Sequence, residues 1–282
     1  MAGAGVGKRV FLGCLARAAS ADVVVVGLIG ERGREVREFI ERDLGSGLQR
    51  SVVVVATGDS PPLSRVYAAD AATAVAEHFR DQGMKVLLLM DSLTRVAMAQ
   101  REIGLAAGEP PTSKGYPPSV FAHLPRLVER TGMGAPQPGG RAGSITAVYT
   151  VLAEGDDMSD PVADAARAAL DGHWVLSRRL AGAGHFPAVD VLSSVSRVMT
   201  DIVSNPEQEL ARRAREVLST LAEAAPLVDA GAYVSGSNPR VDAALRQREP
   251  LMTFLRQTPD ERTGRGEAIG RLRSALLEKG AP

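Results

Sequence analysis

One cysteine, Cys14, stands in 282 residues, so no disulfide can form within the chain. The setting this implies is a reducing one, and Cys14 itself reads as a small buried apolar residue. Charge of either sign is not in excess: Lys plus Arg and Asp plus Glu both number 33. That balance excludes a broad basic field for nucleic acid and a surplus of charge for a membrane surface. Long apolar runs are missing too. The longest, Val23–Ile29 and 86–90, fall far short of the roughly 18 residues that span a bilayer. The start of the sequence is not expected to be a signal peptide, because glycines and a lysine follow Met1 where an apolar stretch belongs. No internal repeat or low-complexity tract is evident. The expectation that remains is a cytoplasmic globular protein, 45% hydrophobic, with material for one large domain or two.

The apolar residues that are present fall in short blocks. Val23–Ile29, Ser51–Ala56 and 86–90 carry them at successive positions, the pattern of strands buried on both faces in a parallel sheet. Helical spacing runs through 9–19, 34–44, 64–82 and 93–105, and strand alternating with helix implies βαβ crossovers. A further strand is expected over 144–152 and an apolar segment over 174–176. The glycine- and proline-rich stretch 131–143 reads as a mobile surface loop. After residue 204 the pattern turns helical, over 207–224, 241–255 and 267–277. The expectation is an α/β domain over 1–204 and a small helical domain over 205–282.

Residues 1–8 read Met-Ala-Gly-Ala-Gly-Val-Gly-Lys and lead into a helical segment. A glycine-rich turn at a helix N-terminus directs backbone N–H groups at a phosphate, and Lys8 can reach the terminal phosphates. The strict pattern G-x-x-x-x-G-K-[ST] fails twice. Ala2 takes the first glycine's place, a minor change, and Arg9 takes that of the Ser or Thr whose hydroxyl ligates Mg²⁺. On these residues alone, a nucleotide loop of Gly3, Ala4, Gly5, Val6, Gly7, Lys8 and Arg9 and a glycine-rich terminus without function both stay open.

Two acidic residues fall where ligands bind in open α/β sheets, at the carboxyl ends of strands. Asp91 directly ends Val-Leu-Leu-Leu-Met, as a carboxylate that organises Mg²⁺ would. Glu31 follows Gly-Leu-Ile-Gly and is placed to take a proton from an attacking water. For each, an ordinary solvated residue after a strand is the competing reading.

Several longer runs carry a resemblance. Gly30-Glu31-Arg32-Gly33-Arg34-Glu35-Val36 is similar to the G-E-R-x-R-E element of rotary ATPases. The runs 98–111 and 115–121, and Glu154-Gly155-Asp156-Asp157-Met158 ahead of Asp160-Pro161, resemble the flagellar and type III secretion branch of that family. The resemblance implies a RecA-like P-loop core followed by a helical domain, and ATP hydrolysis in a homohexamer that energises protein export. In that reading Glu31 is the catalytic base, Lys8 holds phosphates, Arg32 supports the γ-phosphate region and Asp91 organises Mg²⁺, through water. Arg197, in Ser196-Arg197-Val198-Met199, matches the arginine finger that reaches a neighbour's nucleotide. Phe186, in Phe186-Pro187-Ala188, stands where relatives usually have a tyrosine against adenine, and Tyr233 matches a residue closing the base pocket, with a core tyrosine as its alternative.

The implied partners are stalk and regulator proteins, export chaperones and their substrates, with peripheral association at a membrane export gate and no nucleic acid. Relatives carry a small β-barrel domain and a strand ahead of the phosphate loop, and the sequence as given starts at the loop. Two other readings stand beside this one. A non-catalytic nucleotide-binding or scaffold subunit follows from Arg9, and an RNA-translocating ring ATPase shares the core fold. The neutral charge and the lack of an aromatic-basic segment speak against the latter.

Overall fold

The valine run folds as strand β1 (Val23–Ile29), buried at every residue after the first. In the computed structural model, which describes residues 1, 5–136, 141–152 and 160–277, it joins β2 (Ser51–Ala56), β3 (Lys85–Asp91), β4 (Gly132–Met133) and β5 (Ser144–Tyr149). The sheet order is β2-β1-β3-β5-β4, parallel except for the β4–β5 pair. Successive side chains of a strand point to opposite faces, so the unbroken apolar runs feed two cores. Val25, Ile29, Leu88 and Met90 enter one, and Val24, Val26, Leu28, Leu87 and Leu89 the other.

The helices of this unit are α1 (Lys8–Ala18), α2 (Gly33–Glu38), α3 (Pro62–Asp81), α4 (Leu93–Ala106), α5 (Pro118–Glu129) and α6 (Pro161–Ala169). Helices α3 to α6 cover the first core with Ala72, Val96, Leu124 and Val162. The second is covered by Leu12 and Ala16 of α1 and by Phe39 and Leu44. Ser92 caps α4 by accepting from the N–H of Arg95, and Asp160 caps α6. Proline opens α3, α5 and α6, where its missing N–H costs nothing. The C-terminus of α1 is closed from outside: the Arg50 guanidinium donates to the carbonyls of Ala16, Arg17, Ala19 and Ala21 at 2.7–3.2 Å.

Several expectations are corrected. The helix expected over 34–44 is α-helical only to Glu38; Phe39–Leu44 is a π-helix and Gly45–Arg50 a 3₁₀ segment. Phe39 and Leu44 are five residues apart and both are buried in one core, a spacing that the i→i+5 helix satisfies. Strand β2 is not buried on both faces. It lies at the sheet edge, with Val55 exposed. The loop expected over 131–143 contains β4, and its residues 137–140 lie outside those described. Cys14 is half-buried, with Sγ 3.6 Å from the Arg17 guanidinium.

Packing divides the chain between Leu170 and Asp171, earlier than the 204/205 division expected. The second unit begins with an antiparallel ribbon, β6 (Gly172–Leu176) and β7 (Val189–Ser196), interrupted by an irregularity between His173 and Val175. Its helices are α7 (Arg178–Gly182), α8 (Met199–Ile202), α9 (Asn205–Asp229), α10 (Pro239–Leu255) and α11 (Arg265–Leu276). The last three enclose Ala214, Val217, Ala244, Leu251 and Leu276. Ser204 and Glu207 form a capping box at the start of α9. The ribbon belongs with these helices because Arg215 of α9 donates to the β7 carbonyls of Val191, Leu192 and Ser194.

Candidate functional site

Gly7 leads into helix α1 with a left-handed backbone (φ 82, ψ 17) that suits glycine and disfavours any larger residue. Among the described residues no side chain caps this end, and the first turn holds no acidic residue. Its first amide groups are thus of the kind that can meet an anion. The next residue, Lys8, places Nζ 2.5 Å from Asp91 Oδ1 and 3.8 Å from Glu31 Oε1.

The two carboxylates come from neighbouring parallel strands. Asp91 ends β3 in register with Leu28 of β1, and its Oδ1 also accepts from the Thr150 hydroxyl at 2.6 Å. Glu31 follows β1 through Gly30, a turn pinned to the end of β2 by Gly30 N–H to Ala56 O (2.7 Å) and by Gly58 N–H to Glu31 O (3.0 Å). Burial raises the Glu31 carboxyl above its ordinary range, and the negative charge of Asp91 adds to the effect while Lys8 opposes it. A carboxylate made more basic next to one held by a lysine is suited to accept a proton.

The structure thus brings Lys8, Glu31 and Asp91 together. Gly5, Val6 and Gly7 form the approach to α1, with Val6 buried, whereas Gly3 and Ala4 lie outside the described residues. Arg9 is directed elsewhere, Nη1 lying 3.4 Å from Glu38 Oε2. Arg32 flanks the N-terminus of α2 with an exposed side chain, 3.8 Å from Glu35. The remaining expected residues belong to the second unit. Arg197 follows β7, with its N–H bonded to Asp171 O at 2.7 Å and its side chain exposed. Phe186 is half-exposed, and its carbonyl accepts from the N–H of Gln257. The Tyr233 hydroxyl donates to Asp242 Oδ1 at 2.9 Å, beside a cavity of about 460 Å³ that Thr220, Leu227, Asn238 and Arg240 also line.

Two residues were not foreseen. Thr150 follows β5 and orients Asp91. The stem of Arg95 packs on Gly30, where a Cβ would come within 2.8 Å of it, and its buried Nε has no hydrogen-bond partner among the described residues. A buried guanidinium N–H without an acceptor, beside the Glu31 turn, fits an anion. Its signal in the sequence is its place in the first turn of the helix that follows a strand-ending aspartate. Among the described residues no group of three or more His, Cys, Asp or Glu side chains gathers to hold a metal, and no helix is long and apolar enough to cross a membrane.

A glycine turn opening a helix, a lysine on that helix, and carboxylates at the ends of adjacent parallel strands define a P-loop nucleotide-binding fold. Comparison with known proteins places the chain within that class. The model of the ATP synthase alpha/beta family, nucleotide-binding domain, matches residues 1–196, and that of the T3SS EscN ATPase C-terminal domain matches residues 203–274. The chain belongs to this family, and the RecA-like core followed by a helical part is its fold. The flagellum-specific ATP synthase of Bacillus subtilis (strain 168) is 56% identical over 274 residues, covering 97% of this chain and 61% of that protein. That of Salmonella typhimurium (strain LT2) is 58% identical over 262 residues, covering 93% and 57%. The chain therefore spans about 60% of the length of these curated relatives. Among solved structures, a prototypical ATPase from the type III secretion system of pathogenic bacteria superposes with a TM-score of 0.89 at 45% identity, covering 98% of this chain and 78% of that one. The assembled ATPase EscN from enteropathogenic E. coli gives 0.90 at 44%, covering 98% and 65%.

Proposed function

We propose that the chain binds and hydrolyses ATP as a subunit of a homohexameric ring, and that the ring energises protein export through a flagellar or type III secretion apparatus. The observation that carries this is the Lys8 ammonium held between Asp91 and Glu31 at the ends of β3 and β1. Phosphate oxygens entering the glycine turn compete with Asp91 for that ammonium and meet the uncapped amides of α1. Glu31, made basic by burial, takes a proton from a water aligned on the terminal phosphate. Arg197 acts on the nucleotide of a neighbouring subunit, spreading charge from the transferring phosphoryl group. Phe186 and Tyr233 receive the base, Arg32 turns in toward the γ-phosphate, and the catalytic domain runs through residue 204.

The donor set fits a Mg²⁺ that stays largely hydrated and bound to phosphate, because that ion takes one or two carboxylates rather than a protein cage. Asp91 and Thr150 would face it. The Arg9 side chain supplies no oxygen, so the protein offers one side-chain ligand fewer than the family pattern. Bound there, the ion would neutralise charge that develops between the outer phosphates.

Solved relatives described as an assembled ATPase, and as that ATPase in complex with its central stalk EscO, support the ring and a stalk as partners. Chaperones, export substrates and a regulator are the further partners of such a machine, which would sit peripherally at the cytoplasmic face of a membrane export gate. Phosphate release from ATP tests the reading: the chain is expected to turn over and Lys8→Ala to lose both binding and turnover. Arg9 favours a second reading, a nucleotide-binding subunit without catalysis, and tight ATP binding with no phosphate release would establish it.

A further inference from the structure

The first two residues of α1 send their side chains to different places. Lys8 turns to Asp91 and Glu31, whereas Arg9, about 100° further round the helix, leaves on another side. That side is a stripe of Arg9, Gly13 and Arg17, spaced four residues apart. Gly13 is its point of closest approach: a Cβ there would lie 2.6 Å from the carbonyl oxygen of Asp43, so the helix backbone touches the π-helical segment directly. Arg17 donates to the same carbonyl. Arg9 lies 3.4 Å from Glu38, and its charge partly offsets the burial that raises the Asp43 carboxyl. The direction of Arg9 is thus set by a packed helix seam as well as by one ion pair.

A guanidinium is permanently charged and has no acceptor. Beside the phosphates it would repel a divalent cation and take that cation's oxygens for itself. We propose that Glu38 is a positioning residue: by pairing with Arg9 across this seam it keeps the guanidinium away from the phosphates, and so makes nucleotide binding by this chain depend on a divalent cation. The proposal rests on the nucleotide-binding reading above. It accounts for how an arginine is accommodated where a hydroxyl belongs.

The test is equilibrium binding of a fluorescent analogue, trinitrophenyl-ATP, with magnesium chloride and with EDTA, expressed as the ratio of Kd in EDTA to Kd in magnesium. Glu38 is half exposed, so substituting it leaves the buried clusters intact. Glu38→Gln is expected to lower the ratio roughly two- to fivefold, the range for a partly exposed ion pair, and Glu38→Lys, which repels Arg9, by more. With Arg9→Ser in place, the same substitutions are expected to leave the ratio unchanged. A ratio unmoved by Glu38→Gln and Glu38→Lys while the analogue still binds overturns the proposal, as does an equal shift with serine at position 9. Failure of the analogue to bind any variant overturns the nucleotide-site reading and this proposal with it.

Discussion

In the first unit Lys8, Glu31 and Asp91 keep 15, 12 and 3% of their side-chain surface exposed, whereas in the second Arg212, Arg271 and their carboxylate partners keep 33% or more. Exposed pairs of the latter kind contribute about 0–1 kcal/mol and are screened by salt. The second unit is held by its small apolar core and its helix caps, and its ion pairs decorate it. Inside the first unit the same kinds of charge interact through less water, so that burial and a neighbouring aspartate shift the affinity of Glu31 for a proton. The contrast separates where charge is prepared for chemistry from where side chains are offered outward.

The largest effect expected is at the outward residue Arg197. If it acts on a neighbour's nucleotide, Arg197→Ala lowers turnover by roughly three to five orders of magnitude. Mixing those subunits with Glu31→Gln subunits is expected to restore part of it, since some interfaces then combine an intact base with an intact arginine. No rescue in demonstrably mixed oligomers would confine Arg197 to its own subunit. Next comes the carboxyl proposed as base: Glu31→Gln is expected to cut phosphate release by about two to four orders while analogue binding stays near that of the parent chain. A variant that keeps most of its turnover would remove Glu31 from that role.

A pair of core truncations compares the units directly. Leu88→Ala and Leu251→Ala both empty fully buried positions and are each expected to cost about 2–5 kcal/mol in denaturant unfolding. Only Leu88→Ala, in the strand that ends at Asp91, is expected to weaken analogue binding by the folded protein. Equal weakening by both would erase the distinction between the units.

The smallest effect is on stability against pH. The folded-state pKa of Glu31 lies above its unfolded value, so at neutral pH its charge opposes folding. As pH falls through the raised value the folded state takes up the proton first, and stability rises until the unfolded chain titrates as well. Glu31→Gln is accordingly expected to raise Tm at neutral pH and to flatten this rise on acidification. A Tm profile parallel to that of the parent chain would mean that burial does not act on this carboxyl.

Legibility followed how local each determinant is. Strands β1 and β3 were readable because a doubly buried strand is apolar at every step, and Asp91 and Glu31 were readable because they end such strands. Helix α5 escaped notice although Val120, Leu124, Leu127 and Val128 mark its buried face, since Pro125 interrupts it. Strand β7, written Val-Asp-Val-Leu-Ser-Ser-Val-Ser, is half exposed and lacks the unbroken apolar run. The π-helical turn closes its hydrogen bonds one residue further along than an α-helix does, a difference below what apolar spacing over six residues resolves. Thr150 and Arg95 depend on strand register and on the space left by Gly30, and the direction of Arg9 depends on Gly13 meeting Asp43. Those are facts of packing between segments distant in the chain.

Helix α1 is anchored unevenly. At its C-terminus and just beyond, one guanidinium from Arg50 holds four carbonyls, while the N-terminus is tied through the side chains of Lys8 and Arg9, its first amides having no side-chain cap among the described residues. Eleven residues make a rod of about 16 Å, too short to bend appreciably and pinned where it would otherwise fray. Partway along its length the bare backbone of Gly13 bears on the π-helical segment, which continues through α2 from Glu31. Helix α1 thus meets the Glu31 segment at two places, once through the ammonium of Lys8 and once through the backbone of Gly13.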